Sequence, residues 1–468
     1  MIVMKFGGTS VGNPEMITRT AEIIQQELEK GQQVVAVVSA MSGVTNALTK
    51  AARSAASGDD LTFRQIKRQL LSQHHQAAAQ CIRDRHRQQE LLDQIEARLG
   101  EFEALCQSIY ILGELTARGM DAVASLGERL AARILAALLA GQGCPAQAVD
   151  AAELIITNDD FGAAIPLMEE TRDRARCRLL PLLADGITPV VTGFIGATWE
   201  GITTTLGRGG SDYTAAILGQ VLEADEVWMW TDVDGMMSAD PRLVRDARTL
   251  PQISYAEAAE LSYFGAKVLH PKTIIPTQEA DIPLRILNTF NPSHPGTLVC
   301  REPLHNGRAI EGITAITDVA LVTVEGRGMI GVPGIAAKVF TTVAREGVNV
   351  LMITQSSSEQ NICFAIPQTD AGRVVKALEE AFALELARRN VDRIWVQEEV
   401  AIIAAVGAGI QDTPGVAAQL FEALGKHGIN CMCIAQGSSK HNISIVVSDS
   451  EREAAVCHIH EELALGNG

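Results

Sequence analysis

Apolar residues fall in short runs punctuated by glycine over the first 300 positions. Ile2-Val3-Met4-Lys5-Phe6 reads as a strand that Gly7 and Gly8 turn away. Asn13-Pro14-Glu15 then carries a cap, a proline at the first helical position and an early acid. Ile17, Ile24 and Leu28 keep helical spacing until Gly31. Residues 33–39 are almost continuously apolar, the pattern of a parallel strand covered on both faces. Strand, helix, strand at the opening predicts an α/β core. Further helices are predicted after Ser42-Gly43, from Leu126 to Gly141, after the Arg208 turn to about Leu222, and over 255–280. Ser211 or Asp212 is placed to cap the third of these. Further strands are predicted at 146–149, 188–195, 226–232 and 282–287. Residues 61–107 are polar and nearly free of Gly and Pro, which predicts one or two long exposed helices projecting from the core. His74, His75 and His86 on them read as a solvated helix surface, because no Cys or acid cluster completes a metal set.

After residue 300 the pattern changes. Residues 301–312 read as a linker, and an internal duplication follows. Pro333-Gly334 recurs as Pro414-Gly415, Asn349 as Asn430, Gln355 as Gln436, and Gly326 and Gly328 as Gly407 and Gly409, each 81 positions on. Each copy reads strand, Gly-rich loop, helix, strand, hairpin strand, helix. That order predicts a ferredoxin-like βαββαβ unit.

Composition narrows the class. The net charge of -17 disfavours nucleic acid and anionic membranes as partners. No apolar run has the roughly 18–20 residues of a membrane helix, and the first residues enter a strand directly, unlike a signal peptide. Nine cysteines form neither a disulfide framework nor a paired zinc pattern. Cys431 and Cys433 read as core. A cytoplasmic, reduced setting is expected.

The chemistry concentrates around Thr203-Thr204-Thr205-Leu206-Gly207-Arg208-Gly209-Gly210-Ser211-Asp212. Hydroxyls lead into glycines that flank one arginine, and a helix begins. A helix N-terminus beside a permanently charged, forked guanidinium suits a carboxylate or a phosphate. Ligands of open α/β sheets bind beyond the carboxyl ends of strands. Lys5, Ser39, the Arg208 turn and Thr231-Asp232 all fall at such ends, so they are expected to meet.

Lys5-Phe6-Gly7-Gly8-Thr9-Ser10, Ser42-Gly43-Val44-Thr45-Asn46, Leu126-Gly127-Glu128, the Arg208 turn, Trp230-Thr231-Asp232-Val233, Asp240-Pro241-Arg242 and Phe264-Gly265-Ala266-Lys267 together resemble the aspartokinases of the amino-acid kinase family. The duplicated units resemble ACT domains, which sense small molecules. The resemblance spans essentially the whole chain. It implies a three-layer αβα sandwich with a mainly parallel sheet at 1–300, then ACT domains at 313–392 and 399–468. It implies transfer of a phosphoryl group from ATP, with Mg²⁺ on its phosphates, to the side-chain carboxylate of L-aspartate. The chemistry is consistent: a carboxylate is already a nucleophile at pH 7, so the site needs positioning and charge rather than a base.

Carried over residue by residue, Lys5 stabilises the transferring phosphoryl group, and Gly7, Gly8 and Ser10 approach the phosphates. Arg208 clamps a substrate carboxylate and Glu128 meets the substrate ammonium. Thr45, Ser211 and Ser39 add hydrogen bonds. Asp212 organises Lys5, caps the helix, or does both. Thr231, Asp232, Arg242 and Lys267 hold the nucleotide. Met237 stands where some members have a tyrosine, which leaves apolar or backbone contact there. Simpler readings stay open: Lys5 as a strand-end lysine, Glu128 as a helix-start acid.

Asn349, Gln355, Asn430 and Gln436 are the expected effector contacts. Lysine-sensitive relatives carry an acid where this chain has Leu351, and a buried ammonium needs a partner. The neutral glutamines suit a hydroxyl-bearing amino acid, so threonine is the expected inhibitor, with lysine second. The resemblance to sensor units that pair edge-to-edge across subunits implies a homodimer or larger oligomer, and a single activity is expected, since no Gly-rich dinucleotide unit follows the duplicated copies. Two rivals remain: a kinase for another amino-acid carboxylate, and a non-catalytic sensor.

Overall fold

A computed structural model describes the chain except residues 266–267, 305–306, 357–359, 437–440 and 467–468. The chain divides into two compact units. The first is Met1–Met236, Pro251–Ala258 and Lys267–Leu304; the second is Met237–Leu250, Ala259–Ala266 and His305–Gly468.

The strands of the first unit are β1 (Ile2–Phe6), β2 (Val34–Val38), β3 (Ala146–Val149), β4 (Thr188–Thr192), β5 (Ile195–Ala197), β6 (Thr203–Thr205), β7 (Glu226–Thr231), β8 (Gln252–Ser254), β9 (Leu284–Asn288) and β10 (Thr297–Cys300). Eight of them form one sheet in the order β3-β4-β2-β1-β7-β9-β10-β8. Every neighbour pair is parallel except β9 with β10. Strand order reverses at β1, which lies between β2 and β7. The crevice at such a switch point is where an open α/β sheet binds its ligand.

The helices in chain order are α1 (Pro14–Glu29), α2 (Val44–Ala56), α3 (Asp60–Cys81), α4 (Arg85–Leu112), α5 (Ala117–Ala124), α6 (Leu126–Gly141), α7 (Met168–Ala184), α8 (Gly210–Leu222), α9 (Tyr255–Tyr263) and α10 (Pro271–Ala280). Side chains alternate across a strand. Met4 and Phe6 on β1, with Ala36 and Val38 on β2, join the core formed with α1 and α6. Lys5 therefore points to the other face, where α8 packs on β1, β2 and β7. Gly219 permits that approach, because a methyl group there would run into Val227 Cγ2. Gly219→Ala is expected to cost about 1–3 kcal/mol by overpacking. A thermal melt checks this, and adding Val227→Ala should recover part of the loss.

Several expectations are corrected. The polar segment does not project as exposed helices. α3 and α4 each bury a stripe, Phe63, Ile66, Leu70, Ala77 and Leu91, Ile95, Leu99, Phe102, inside the main core. The composition is polar, but its few apolar residues keep helical spacing. His74 is fully buried in that stripe, with Nδ1 2.7 Å from the Leu70 carbonyl oxygen, so it is no surface histidine. The strand predicted to reach Ile195 stops at Thr192, and β5 pairs with β6 in a separate hairpin. The helix predicted over 255–280 is broken, with α10 starting afresh at Pro271.

The second unit holds β11 (Gly312–Glu325), α11 (Ile335–Arg345), β12 (Met352–Gln355), β13 (Asn361–Pro367), α12 (Ala371–Ala381), α13 (Ala383–Ala387), β14 (Arg393–Val406), α14 (Val416–Lys426), β15 (Cys433–Ala435), β16 (Asn442–Ser448) and α15 (Arg452–Glu462). One six-stranded sheet runs β12-β13-β11-β14-β16-β15. β11 and β14 are long antiparallel partners, each bent at equivalent residues in a left-handed conformation, Asp318 and Glu399. The bend makes two interlaced halves. Residues 319–325 pair with β13 and residues 321–325 with 393–397, while residues 312–316 pair with 402–406, which pair with β16. Each half thus takes one strand segment from the other copy, so the closing strand of the second half precedes the first half in sequence.

Candidate active site

The Arg208 turn depends on two glycines. Gly207 and Gly209 have φ of 76° and 72°, which a side chain would strain. Gly209 is the N-cap of α8, and no side chain caps that helix. Neither Ser211 nor Asp212 serves as cap: the helix has already begun at Gly210, so both lie inside its first turn. Asp212 instead meets Lys5, with Oδ1 2.5 Å from Nζ, and both side chains are largely buried. Of the two roles open to Asp212, the partner of Lys5 is the one seen.

One cavity of about 550 Å³ collects Lys5, Gly8, Ser39, Thr45, Glu128, Arg208, Ser211 and Asp212. Residues far apart in sequence, from β1, the ends of β1 and β2, α2, α6 and α8, thus share one pocket. Arg208 is exposed at its wall. Among the described residues no carboxylate pairs with it.

Glu128 is the most unusual group. Only 3% of it is exposed. Its Oε1 accepts from the Ala40 N–H at 3.2 Å, and its Oε2 has no partner among the described residues. Burial pushes its carboxyl up to about 8, although the Ala40 N–H favours the charged form. The Glu128 side chain thus lines the cavity with one buried oxygen left unpartnered among the described residues.

Other predicted residues sit elsewhere. The Gly7 N–H bonds the Trp230 carbonyl at 3.2 Å, and a methyl at Gly7 would lie 3.3 Å from Lys5 Nζ. Ser10 is fully buried. Its hydroxyl lies 2.7 Å from Thr289 Oγ1, so it braces the strand ends rather than lining the cavity. Thr231 and Asp232 close β7, where the Val233 N–H donates to Thr231 Oγ1 at 3.2 Å. Met237 and Arg242 belong to the second unit. There the Thr249 hydroxyl donates to Met237 Sδ, and Arg242 forks onto Asp240, with Nη2 2.6 Å from Oδ2. Lys267 lies outside the described residues. Asn349, Gln355, Asn430 and Gln436 are all exposed in the second unit, the two glutamines at equivalent ends of the edge strands β12 and β15.

Some residues of this site were not anticipated. Asn46, Ala40, Met41 and Phe194 also line the cavity. Phe194 holds φ of 70°, a strained value for a bulky residue, and such strain persists where surroundings over-determine it. Its N–H donates to Thr214 Oγ1 and its carbonyl accepts from the Leu206 N–H. His270 packs over Gly209 and accepts from the Lys272 N–H at the start of α10. Burial, then Lys272 and Arg208, hold its pKa below the usual histidine value. In the sequence Phe194 is marked only by the adjacent Gly193, and His270 only by the proline that follows it.

Comparison with known proteins fits this geometry. The model of the amino acid kinase family matches residues 1–288, and that of an ACT domain matches 322–382 and 403–463. The chain is 34% identical to aspartokinase 3, chloroplastic, of Arabidopsis thaliana, over 98% of this chain and 80% of that protein. It is 38% identical to bifunctional aspartokinase/homoserine dehydrogenase 1 of Zea mays, over 99% of this chain and 50% of that one. The chain thus spans about half the length of several curated relatives it matches. Among solved structures, E. coli aspartokinase III in complex with aspartate and ADP aligns with a TM-score of 0.83 at 31% identity, covering 99% of this chain and 100% of that one. The chain therefore belongs to the amino acid kinase family and, within it, to the aspartokinases.

Proposed function

We propose that the chain phosphorylates the side-chain carboxylate of L-aspartate with ATP, giving 4-phospho-L-aspartate and ADP. The observation that carries the reading is the partnerless Oε2 of buried Glu128 in the same cavity as Arg208 and Lys5. An amino-dicarboxylic acid offers an ammonium for the first, a carboxylate for the second and a nucleophile near the third. E. coli aspartokinase III, one solved relative, is seen in complex with aspartate and ADP.

In this reading residues 1–300 are the catalytic domain, and 313–392 and 399–468 the regulatory pair. Arg208 takes the α-carboxylate in its fork. Thr45, Ser39 and Ser211 hydrogen-bond the substrate. The side-chain carboxylate attacks the γ-phosphorus, the bond to the β,γ-bridging oxygen breaks, and ADP leaves. Lys5 meets the charge on the transferring oxygens, and Asp212 keeps its ammonium aimed. Gly8, with Gly7 behind it, lets the phosphates come close to the backbone. Thr231, Asp232, Arg242 and Lys267 hold the nucleotide, with Met237 as an apolar contact. Among the described residues no three acid, His or Cys side chains are grouped to seat a metal. Mg²⁺ carried on ATP would neutralise phosphate charge.

Purified protein given ATP, Mg²⁺ and aspartate, with aspartyl phosphate trapped by hydroxylamine, tests the reading. Glutamate and acetylglutamate in place of aspartate test the rival kinase, and no turnover with any acceptor favours the sensor.

The regulatory domains are read as a threonine site at Asn349, Gln355, Asn430 and Gln436. Leu351 is half-buried and offers no charge to an ammonium side chain. A second structure of E. coli aspartokinase III, in complex with lysine and aspartate, supports an amino-acid effector as a class. Threonine is expected to inhibit turnover and raise Tm by a few degrees, as any ligand specific to the folded state does. Inhibition and a Tm rise with lysine but not threonine would reverse the assignment.

A further inference from the structure

We propose that Asp121 is the positioning residue of the Arg208 turn: one buried carboxylate ties the strand entering the turn to the loop beside it. The inference rests on the reading of Arg208 as the clamp for the substrate carboxylate.

Asp121 sits on α5 and is 1% exposed. Its Oδ2 accepts from the Thr205 N–H at 2.9 Å and from the Gly162 N–H at 2.8 Å. Its Oδ1 accepts from the Thr205 hydroxyl at 2.7 Å. No cation pairs with it among the described residues. A buried carboxylate held by donors alone is costly to keep unless its geometry is used. The geometry here is specific. Thr205 is the last residue of β6, two before Gly207. The Ala164 N–H returns to the Thr205 carbonyl at 2.9 Å. A methyl at Gly207 would lie 3.1 Å from the Gly162 carbonyl oxygen. Both segments that Asp121 grips therefore bear on the turn. Arg208 itself meets no carboxylate among the described residues, and the backbone turn sets the position from which its side chain reaches the cavity. Asp121 does not line the cavity. It acts through the turn.

The test compares steady-state constants for both substrates in wild type, Asp121→Ala, Asp121→Asn and Thr205→Val. Asp121→Ala orphans two N–H groups and should raise KM for aspartate at least tenfold, with KM for ATP within about twofold. Asp121→Asn keeps an acceptor for both N–H groups, and the Thr205 hydroxyl can turn to accept from the amide. It should rescue most of the loss, to within about fivefold of wild type. Thr205→Val removes one bond and should raise KM for aspartate two- to fivefold. It keeps the test open if Asp121→Ala does not fold. An unchanged KM for aspartate in Asp121→Ala and Thr205→Val overturns the proposal, as does an equal rise in both KM values. A loss in Asp121→Asn equal to that in Asp121→Ala also overturns it. If wild type turns over ATP and aspartate, such results reject the positioning role alone. If wild type does not turn over aspartate, the functional reading falls and this inference with it.

Discussion

Lys5→Met should lower kcat by about 10²- to 10³-fold while leaving KM for aspartate within a fewfold. The magnitude is that of deleting one preorganised charge-stabilising donor from an active site. The selectivity follows from the proposed division of labour, in which Lys5 meets charge that develops only as the phosphoryl group moves. A second effect accompanies it. Lys5 and Asp212 are a largely buried pair at 2.5 Å. Removing one member leaves the other charge without its partner, a loss of about 3–5 kcal/mol for fully buried pairs and somewhat less at this exposure. Adding Asp212→Asn should return most of the stability and none of the activity. Single-turnover rates and thermal melts of the wild type and the two variants separate the effects. Wild-type kcat in Lys5→Met would remove Lys5 from the chemistry.

Glu128→Gln should act on binding instead. An amide cannot supply the negative charge that an ammonium seeks. Losing a hydrogen bond between charged groups, about 1.5–3 kcal/mol, raises KM for aspartate roughly ten- to a hundredfold. The wild-type enzyme should also show a pH signature. In the empty site burial holds the Glu128 carboxyl protonated up to about pH 8. Aspartate selects the carboxylate, so binding below that pH must first remove the proton. KM for aspartate should therefore fall roughly tenfold per unit as pH rises towards about 8, then level off. Calorimetry in buffers of different ionisation enthalpy should detect a released proton. Glu128→Gln should flatten the profile. The same group affects stability with the opposite slope. Its folded pKa lies above its ordinary value of 4.5, so the folded state binds more protons between about 4.5 and 8. Its contribution to stability is lost as pH rises through that window. A KM profile identical in wild type and Glu128→Gln would discard Glu128 as the ammonium receptor.

Much of this site was legible from residues whose chemistry is local. Glycines flanking Arg208 announce a turn, because only glycine enters a left-handed backbone cheaply. Lys5 before Gly7-Gly8 announces a strand end. The resemblance supplied Glu128, but nothing linear reveals that one of its oxygens is buried without a donor among the described residues. Phe194 was unreadable for a different reason: its backbone conformation is one that its own side chain disfavours, so local preference points away from it. α3 and α4 were misjudged because their few apolar residues are diluted by polar ones, and position rather than number decides burial. α7 went unseen behind its arginines and an internal Pro181. The capping role given to Ser211 or Asp212 failed because Gly209 ends the turn first and leaves both inside the helix. Asp121 could not be singled out at all, since its partners lie 41 and 84 positions away.

The interlacing of β11 with β14 has a consequence for how the duplicated part can change. Neither copy can be excised cleanly, because each would take a rib of its twin with it and leave an open seam. A fragment ending at residue 392 would lack the neighbour that β11 needs along its outer side. Two descendants of one gene segment are thus bound to share their fate: a lesion in either should melt both in a single transition.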